Sequence, residues 1–192
     1  MKFFFKLMAV SAMVLGSVAC KSNTDNKETK VDDKKVLVCY FSATGNTAKD
    51  AEHLARILNS DLFVIEPEVP YTAEDLDWTN TSSRSYLEMH DPSSRPAIKG
   101  VPENIEEYDY IFLGYPNWWD KAPTLINTFI EQASLDGKNV VPFMSSGTDP
   151  IDNSADLLKK NYPQINWHKG LRTTGATEKQ LSDWARGLVY GS

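Results

Sequence analysis

Residues 36–47, Val36-Leu-Val-Cys-Tyr-Phe-Ser-Ala-Thr-Gly-Asn-Thr47, run from an unbroken apolar stretch into a hydroxyl-rich turn with one glycine. Val36 to Phe41 is apolar at nearly every position, the pattern of a central parallel strand covered on both faces. Beyond the turn, Ala48, Ala51, Leu54, Ala55 and Leu58 recur at three- and four-residue steps. This predicts a helix from about Asn46 to Leu58 with one face on the sheet. The turn, Ser42, Ala43, Thr44, Gly45, Asn46 and Thr47, therefore lies at a helix N-terminus. There the unpaired N–H groups and the positive end of the helix dipole favour a phosphate, and the hydroxyls of Ser42, Thr44 and Thr47 add donors without charge. No lysine follows Gly45 at P-loop spacing and no Gly-x-Gly-x-x-Gly occurs here. A single terminal phosphate suits the turn better than a magnesium-bound triphosphate or a dinucleotide pyrophosphate. A Ser/Thr turn that only caps a helix has the same local sequence.

Two more segments repeat the strand–loop–helix theme. Tyr110-Ile-Phe-Leu-Gly-Tyr-Pro-Asn-Trp-Trp119 is a buried-type strand that ends in Tyr115, Pro116, Asn117 and the pair Trp118 and Trp119. Pro123 suits the following first helical turn, and Leu125, Ile126, Phe129, Ile130 and Ala133 form an apolar stripe. The tryptophans thus sit at a strand's carboxyl end, where open α/β sheets bind ligands and where an indole can stack on a planar heterocycle. A strand from about Asn139 to Met144 opens into Ser145, Ser146 and Gly147, a small polar loop able to offer backbone donors to a ring system. The three loops place a phosphate cradle, an aromatic wall and a polar floor on one rim of one sheet.

On these stretches the chain resembles the flavodoxin-like family, in particular the group with Tyr-Pro-x-Trp-Trp after the third strand and Ser-Gly after the fourth. The matching residues are Ser42-Ala-Thr-Gly-Asn-Thr47, Leu113-Gly-Tyr-Pro-Asn-Trp-Trp119 with Ala122-Pro123, and Gly137 through Gly147, and the likeness spans about Val36 to Leu188. The resemblance implies a doubly wound, five-stranded parallel sheet of order 2-1-3-4-5 in a three-layer α/β/α arrangement, which the right-handed crossover rule also favours. It implies non-covalent FMN, with phosphate on residues 42–47 and isoalloxazine between the loops at 115–119 and 145–148. Asp120-Lys121 and Thr148-Asp149-Pro150 stand where similar sequences carry small residues and glycines, which adds bulk near the flavin.

The rest of the chain sets the context. Lys2 and Lys6 precede a short apolar stretch, Leu7 to Ala19, ending in Ser17-Val-Ala-Cys20. This reads as a signal peptide over 1–19, cut in the lipoprotein manner so that Cys20 carries the lipid and anchors the chain outside the cytoplasm in a bacterial cell envelope. Residues 20–35 are nearly devoid of apolar side chains and read as a flexible tether of about 20 Å mean span, leaving 36–192 as one domain. The net charge is −6, and cleavage before Cys20 would remove two lysines. That acidity excludes nucleic acid as a partner. Of the two cysteines, Cys39 lies inside the first strand and reads as a buried small hydrophobe; His53, His90 and His168 are scattered, without metal-ligand spacing. His53 reads as a solvated surface residue.

Leu62–Ile65 predicts a second strand, Asn153–Asn161 a helix, about Ile165–Leu171 a last strand, and Glu178 onward a final helix with Thr177 and Gln180 as capping box. Residues 67–100 hold four prolines and little apolar repetition, with one short helix over Ser82–His90; so long a segment near the rim suits a lid or substrate pocket, with Trp78 or Tyr86 beside the ring. No general acid, base or nucleophile stands out, as suits cofactor-borne chemistry. Three functions follow as expectations: an FMN electron carrier docking a redox partner protein, an FMN-dependent oxidoreductase passing electrons to a quinone or similar acceptor, or a flavodoxin-fold binding module that has lost flavin.

Overall fold

In the computed structural model, residues 34–191 are described. β1 (Val36–Tyr40), β2 (Asp61–Val64), β3 (Tyr110–Pro116) and β4 (Asn139–Ser145) form a parallel sheet in the order β2-β1-β3-β4, continued on its far side by β5 (Asn166–Trp167) and β6 (Leu171–Arg172). The helices are α1 (Asn46–Leu58), α2 (Arg84–His90), α3 (Thr124–Ala133), α4 (Asp152–Asn161) and α5 (Glu178–Tyr190). Alternation along the strands builds two cores. Val36, Val38, Tyr40, Phe112, Val141 and Phe143 face α1 and α5, whereas Leu37, Cys39, Ile111, Leu113, Val140 and Met144 pack with Leu125, Phe129 and Leu158 of α3 and α4. This is the expected three-layer, doubly wound α/β arrangement of order 2-1-3-4-5. The capping box of α5 is present, Thr177 Oγ1 accepting from Gln180 N–H and Gln180 Oε1 from Thr177 N–H.

The last strand differs from the expectation of one run over Ile165–Leu171. It is broken into β5, beside the start of β4, and β6, beside its end. Pro142 supplies the reason. Val140 and Met144 bond outward, accepting from His168 and Thr173 N–H at 2.9 Å each, so Pro142 between them also faces that side but has no N–H to give. Gly170 crosses the gap there, so close that a Cβ would stand 2.8 Å from the Pro142 carbonyl oxygen.

Two other segments refine the sequence reading. Lys35 already belongs to the fold, its N–H donating to Asp109 Oδ2 at 2.8 Å and its carbonyl accepting from Asp109 and Tyr110 N–H; the ordered domain thus starts before Val36. Between β2 and β3 the excursion leaves and returns at one point, where Pro67 and Ile98 bridge and the Glu68 and Lys99 amides bond Ala97 and Glu66 carbonyls. Its short helix, α2, starts at Arg84 with Ser83 as N-cap. The expected signal peptide, lipidated Cys20 and most of the tether lie outside the described residues. Among the described residues no helix is long and apolar enough to cross a membrane.

Candidate functional site

The first loop turns at Gly45, whose φ of 87° is the left-handed conformation that L side chains resist, and delivers the chain into α1 at Asn46. No side chain caps this helix start. The N–H groups of Asn46, Thr47 and Ala48 lack intrahelical partners by position, and the dipole end faces the rim. Ser42 Oγ holds the turn by accepting from Gly45 N–H at 3.1 Å. Thr47 is buried and its hydroxyl lies 2.7 Å from Ser145 Oγ, tying the first loop to the tip of β4. Thr44 and Asn46 are the exposed polar side chains here.

The second loop is a tight reversal. Trp118 and Lys121 exchange both backbone hydrogen bonds at 3.0 Å, and the two central residues, Trp119 (φ 47°) and Asp120 (φ 58°), are both left-handed, the signature of a type I′ turn. Aspartate is among the few non-glycine residues that accept this region, so Asp120 serves where glycine is usual; tryptophan is not, and Trp119 carries strain. Aromatic neighbours hold the pair: Trp118 meets Phe41 and Tyr71 edge-on at 5.7 and 5.3 Å, and Trp119 meets Tyr86 and His90 at 5.8 and 5.7 Å.

The third loop, Ser146 to Pro150, is pinned by side chains from afar. Ser146 N–H donates to Thr174 Oγ1, Arg172 donates to the Ser146 and Gly147 carbonyls, and Asp149 accepts from Asn117 Nδ2 at 2.7 Å. The extra bulk of Asp149 thus bridges the second and third loops. Because a carboxylate there only accepts, the Asn117 amide is oriented with Nδ2 toward Asp149 and its Oδ1 left over. Asn117 Oδ1 and Ser146 Oγ are both buried without a hydrogen-bond partner.

Between these loops lie two adjoining clefts that share Thr44, Pro116, Asn117, Trp118 and Gly147. One, of about 500 Å³, lies toward α1 and adds Asn46, Lys49, Ser145, Ser146 and Thr174. The other, of about 440 Å³, adds Ala43, Trp119, Asp120 and Asp149, with Leu76, Trp78 and Ser85 from the excursion. The site residues expected from sequence divide accordingly. Ala43, Thr44, Asn46, Pro116, Asn117, Trp118, Trp119, Ser145, Ser146 and Gly147 line the clefts, whereas Ser42, Gly45 and Thr47 shape the first loop from behind. Tyr115 does not face the clefts: its ring is fully buried beneath the rim and its hydroxyl, raised in pKa by burial, lies 3.1 Å from Ser154 Oγ. Trp78 lines the cleft, while Tyr86 stays behind Trp119 and stacks on His90. Ser85, Arg172 and Thr174 were not singled out from sequence, since each sits far along the chain from the motifs, and neither was Lys49, two residues past the first motif. Cys39 is fully buried and burial pushes its thiol pKa well up, which leaves it inert. His53 is half-buried on α1 with Glu178 at 4.0 Å.

The sequence profile of the flavodoxin family matches residues 35–188, and the chain belongs to that family. Among solved structures, a candidate flavoprotein from Bacteroides eggerthii is 54% identical, over 81% of this chain and 97% of that one, with a TM-score of 0.78. Another from Bacteroides uniformis is 45% identical, over 80% and 98%, with a TM-score of 0.77. A flavoprotein from Lactobacillus acidophilus in complex with FMN is 24% identical, over 77% and 98%, with a TM-score of 0.63, and shares the fold. The curated proteins contain no match.

Proposed function

We propose that the chain is an FMN-binding redox protein of the bacterial cell envelope, held to the membrane by lipid on Cys20, that carries electrons to or from a partner protein. The observation that carries the flavin reading is the pair of orphaned polar atoms between an anion cradle and an aromatic wall. Asn117 Oδ1 is an acceptor in need of an N–H, and Ser146 Oγ is a hydroxyl free to donate to a carbonyl. The pyrimidine edge of isoalloxazine offers both, an N–H flanked by two carbonyls. Asn46, Thr47 and Ala48 N–H groups, with Thr44 and Lys49 nearby, suit the phosphate; Trp118 supplies the stacking face. A flavoprotein that shares the fold and is in complex with FMN supports the choice of cofactor. When bound, FMN would supply reversible one- and two-electron transfer. The protein's own part is to position and tune it: Asp120 and Asp149 at the cleft wall disfavour negative charge on a ring beside them and so lower its reduction potential. Against the loss of flavin that Asp120 and Pro150 raise as an alternative, Asp120 fits its left-handed turn and Asp149, next to Pro150, anchors Asn117.

One observation favours an oxidoreductase over a pure carrier: the excursion walls the cleft with Trp78 and Ser85 instead of leaving a flat docking rim. The purified chain should be yellow and release one FMN per chain on denaturation. A colourless chain that fails to take up added FMN contradicts the reading. Rapid quinone reduction with a nicotinamide donor, absent from a carrier, would select the enzyme.

A further inference from the structure

Trp78 and Ser85 stand on a wall that none of the strand-tip loops supplies. Trp78 is 72% exposed although it lines a cleft, beside Leu76. Ser85 is its opposite: 2% exposed, on the same cleft, with a hydroxyl that bonds to nothing. An indole face left open to water and a buried hydroxyl left unpaired both destabilise an empty wall, and each specifies what would relieve it. The indole calls for a flat ring, and the hydroxyl for an acceptor oxygen. The wall is held in place. Ser85 N–H donates to the Asp75 carbonyl at 3.0 Å, Thr72 and Asp75 bond each other reciprocally, and Thr79 donates twice to Asp77 Oδ1. Arg84 lies 4.0 Å over the Tyr71 ring while donating to Glu88 and to the Val69 carbonyl, so α2 is fixed behind Ser85.

We infer that this wall is a subsite for a neutral, planar aromatic molecule bearing a carbonyl oxygen, its ring on Trp78 and its oxygen accepting from Ser85. The inference rests on the flavin reading above, which gives the opposite side of the cleft to the flavin ring. Neutrality follows from the charges present. Asp120 and Asp149 line the same cleft and the excursion brings no cation to its lining, so a carboxylate-bearing ring would be repelled. A walled slot also differs from what a docking protein presents: the whole cleft is about 440 Å³, the flavin ring would take one side of it, and Trp78 and Ser85 bound the other.

The test uses the full chain loaded with oxidised FMN, titrated with 9-fluorenone and with fluorene, its counterpart lacking the oxygen, and read by the visible difference spectrum of the flavin. Fluorenone should bind saturably and at least fivefold more tightly than fluorene. Trp78→Ala should weaken fluorenone at least tenfold with little change in FMN affinity, and Ser85→Ala should erase the preference for fluorenone while leaving fluorene binding intact. Unchanged fluorenone affinity in Trp78→Ala overturns the proposal. So does a Trp78→Ala variant that loses FMN instead, which would make Trp78 a wall for the flavin itself. A chain that takes up no FMN defeats the flavin reading separately. In that case, quenching of tryptophan fluorescence by fluorenone that is lost in Trp78→Ala upholds the subsite, and its absence ends it.

Discussion

The strand-tip loops and the excursion between β2 and β3 meet across one cleft, yet they are positioned by different forces. The loops at 42–47, 116–121 and 146–150 each leave a strand buried on both faces, so their starting points are fixed by the core. The excursion reaches the core only near its ends, through Ile98 and Tyr71. It is clasped at Glu66–Lys99 and held inside by polar and cation–π contacts centred on Tyr71, Arg84 and Glu88. Burial and the hydrogen bond to Glu88 push the Tyr71 hydroxyl pKa well up, so it remains a donor at any physiological pH. A cofactor cradle inherits its geometry from hydrophobic packing, and the wall facing it from a local network that can change without disturbing the sheet.

Substitutions can break or sharpen that contrast. The largest effect is expected from Phe143→Ala, which empties a fully buried site under the rim where Gly114 leaves room for the ring alone. Urea unfolding should show a loss of about 3–5 kcal/mol, and a loss below about 1 kcal/mol would deny that the core sets the rim. Next, Thr47→Val removes the partner of buried Ser145 and so the tie between the first loop and the tip of β4. It should lower stability by about 1–3 kcal/mol, and combined with Thr44→Val it should weaken FMN more than about tenfold, one charged-group hydrogen bond's worth; unaltered FMN affinity would remove these two residues from the cradle. Arg84→Ala should act on the excursion alone. Amide exchange should quicken over residues 70–90 by about tenfold, as loss of roughly 1.4 kcal/mol of local stability implies, while amides of β1, β3 and β4 stay protected. Faster exchange across the sheet as well would merge the two regions into one cooperative unit. The smallest change is Asp120→Gly, which relieves a left-handed non-glycine residue and should gain about 0.5 kcal/mol after the entropy of glycine is subtracted. A loss instead would show that Asp120 stabilises the turn beyond its backbone.

The same contrast explains what the sequence disclosed. β1, α1 and β3 are legible because apolar period and turn chemistry agree at every residue, and α1 runs from Asn46 to Leu58 as read. The cradle and the Trp118–Trp119 wall follow, since each sits immediately after a legible strand. Tyr115 was misplaced in the site for a reason of parity: it belongs to the last buried turn of the pleat, and one residue later the chain emerges. The break between β5 and β6 falls at Pro142, which faces that side of the sheet and has no N–H to give a neighbouring strand. Ser85, Arg172 and Thr174 were hidden because their roles depend on contacts 25 to 30 residues away or more, or on an unpaired atom, and local pattern carries no record of either.

In the proposed complex, uncharged donors at the start of α1 hold the phosphate of a flavin whose ring lies between Trp118 and the loop after β4. A crystal structure of the FMN-loaded chain tests it most directly. It should show phosphate oxygens accepting from backbone N–H groups within residues 44–48 and a ring N–H donating to Asn117 Oδ1. Those groups bonded only to water, with the nucleotide elsewhere or absent, would contradict it.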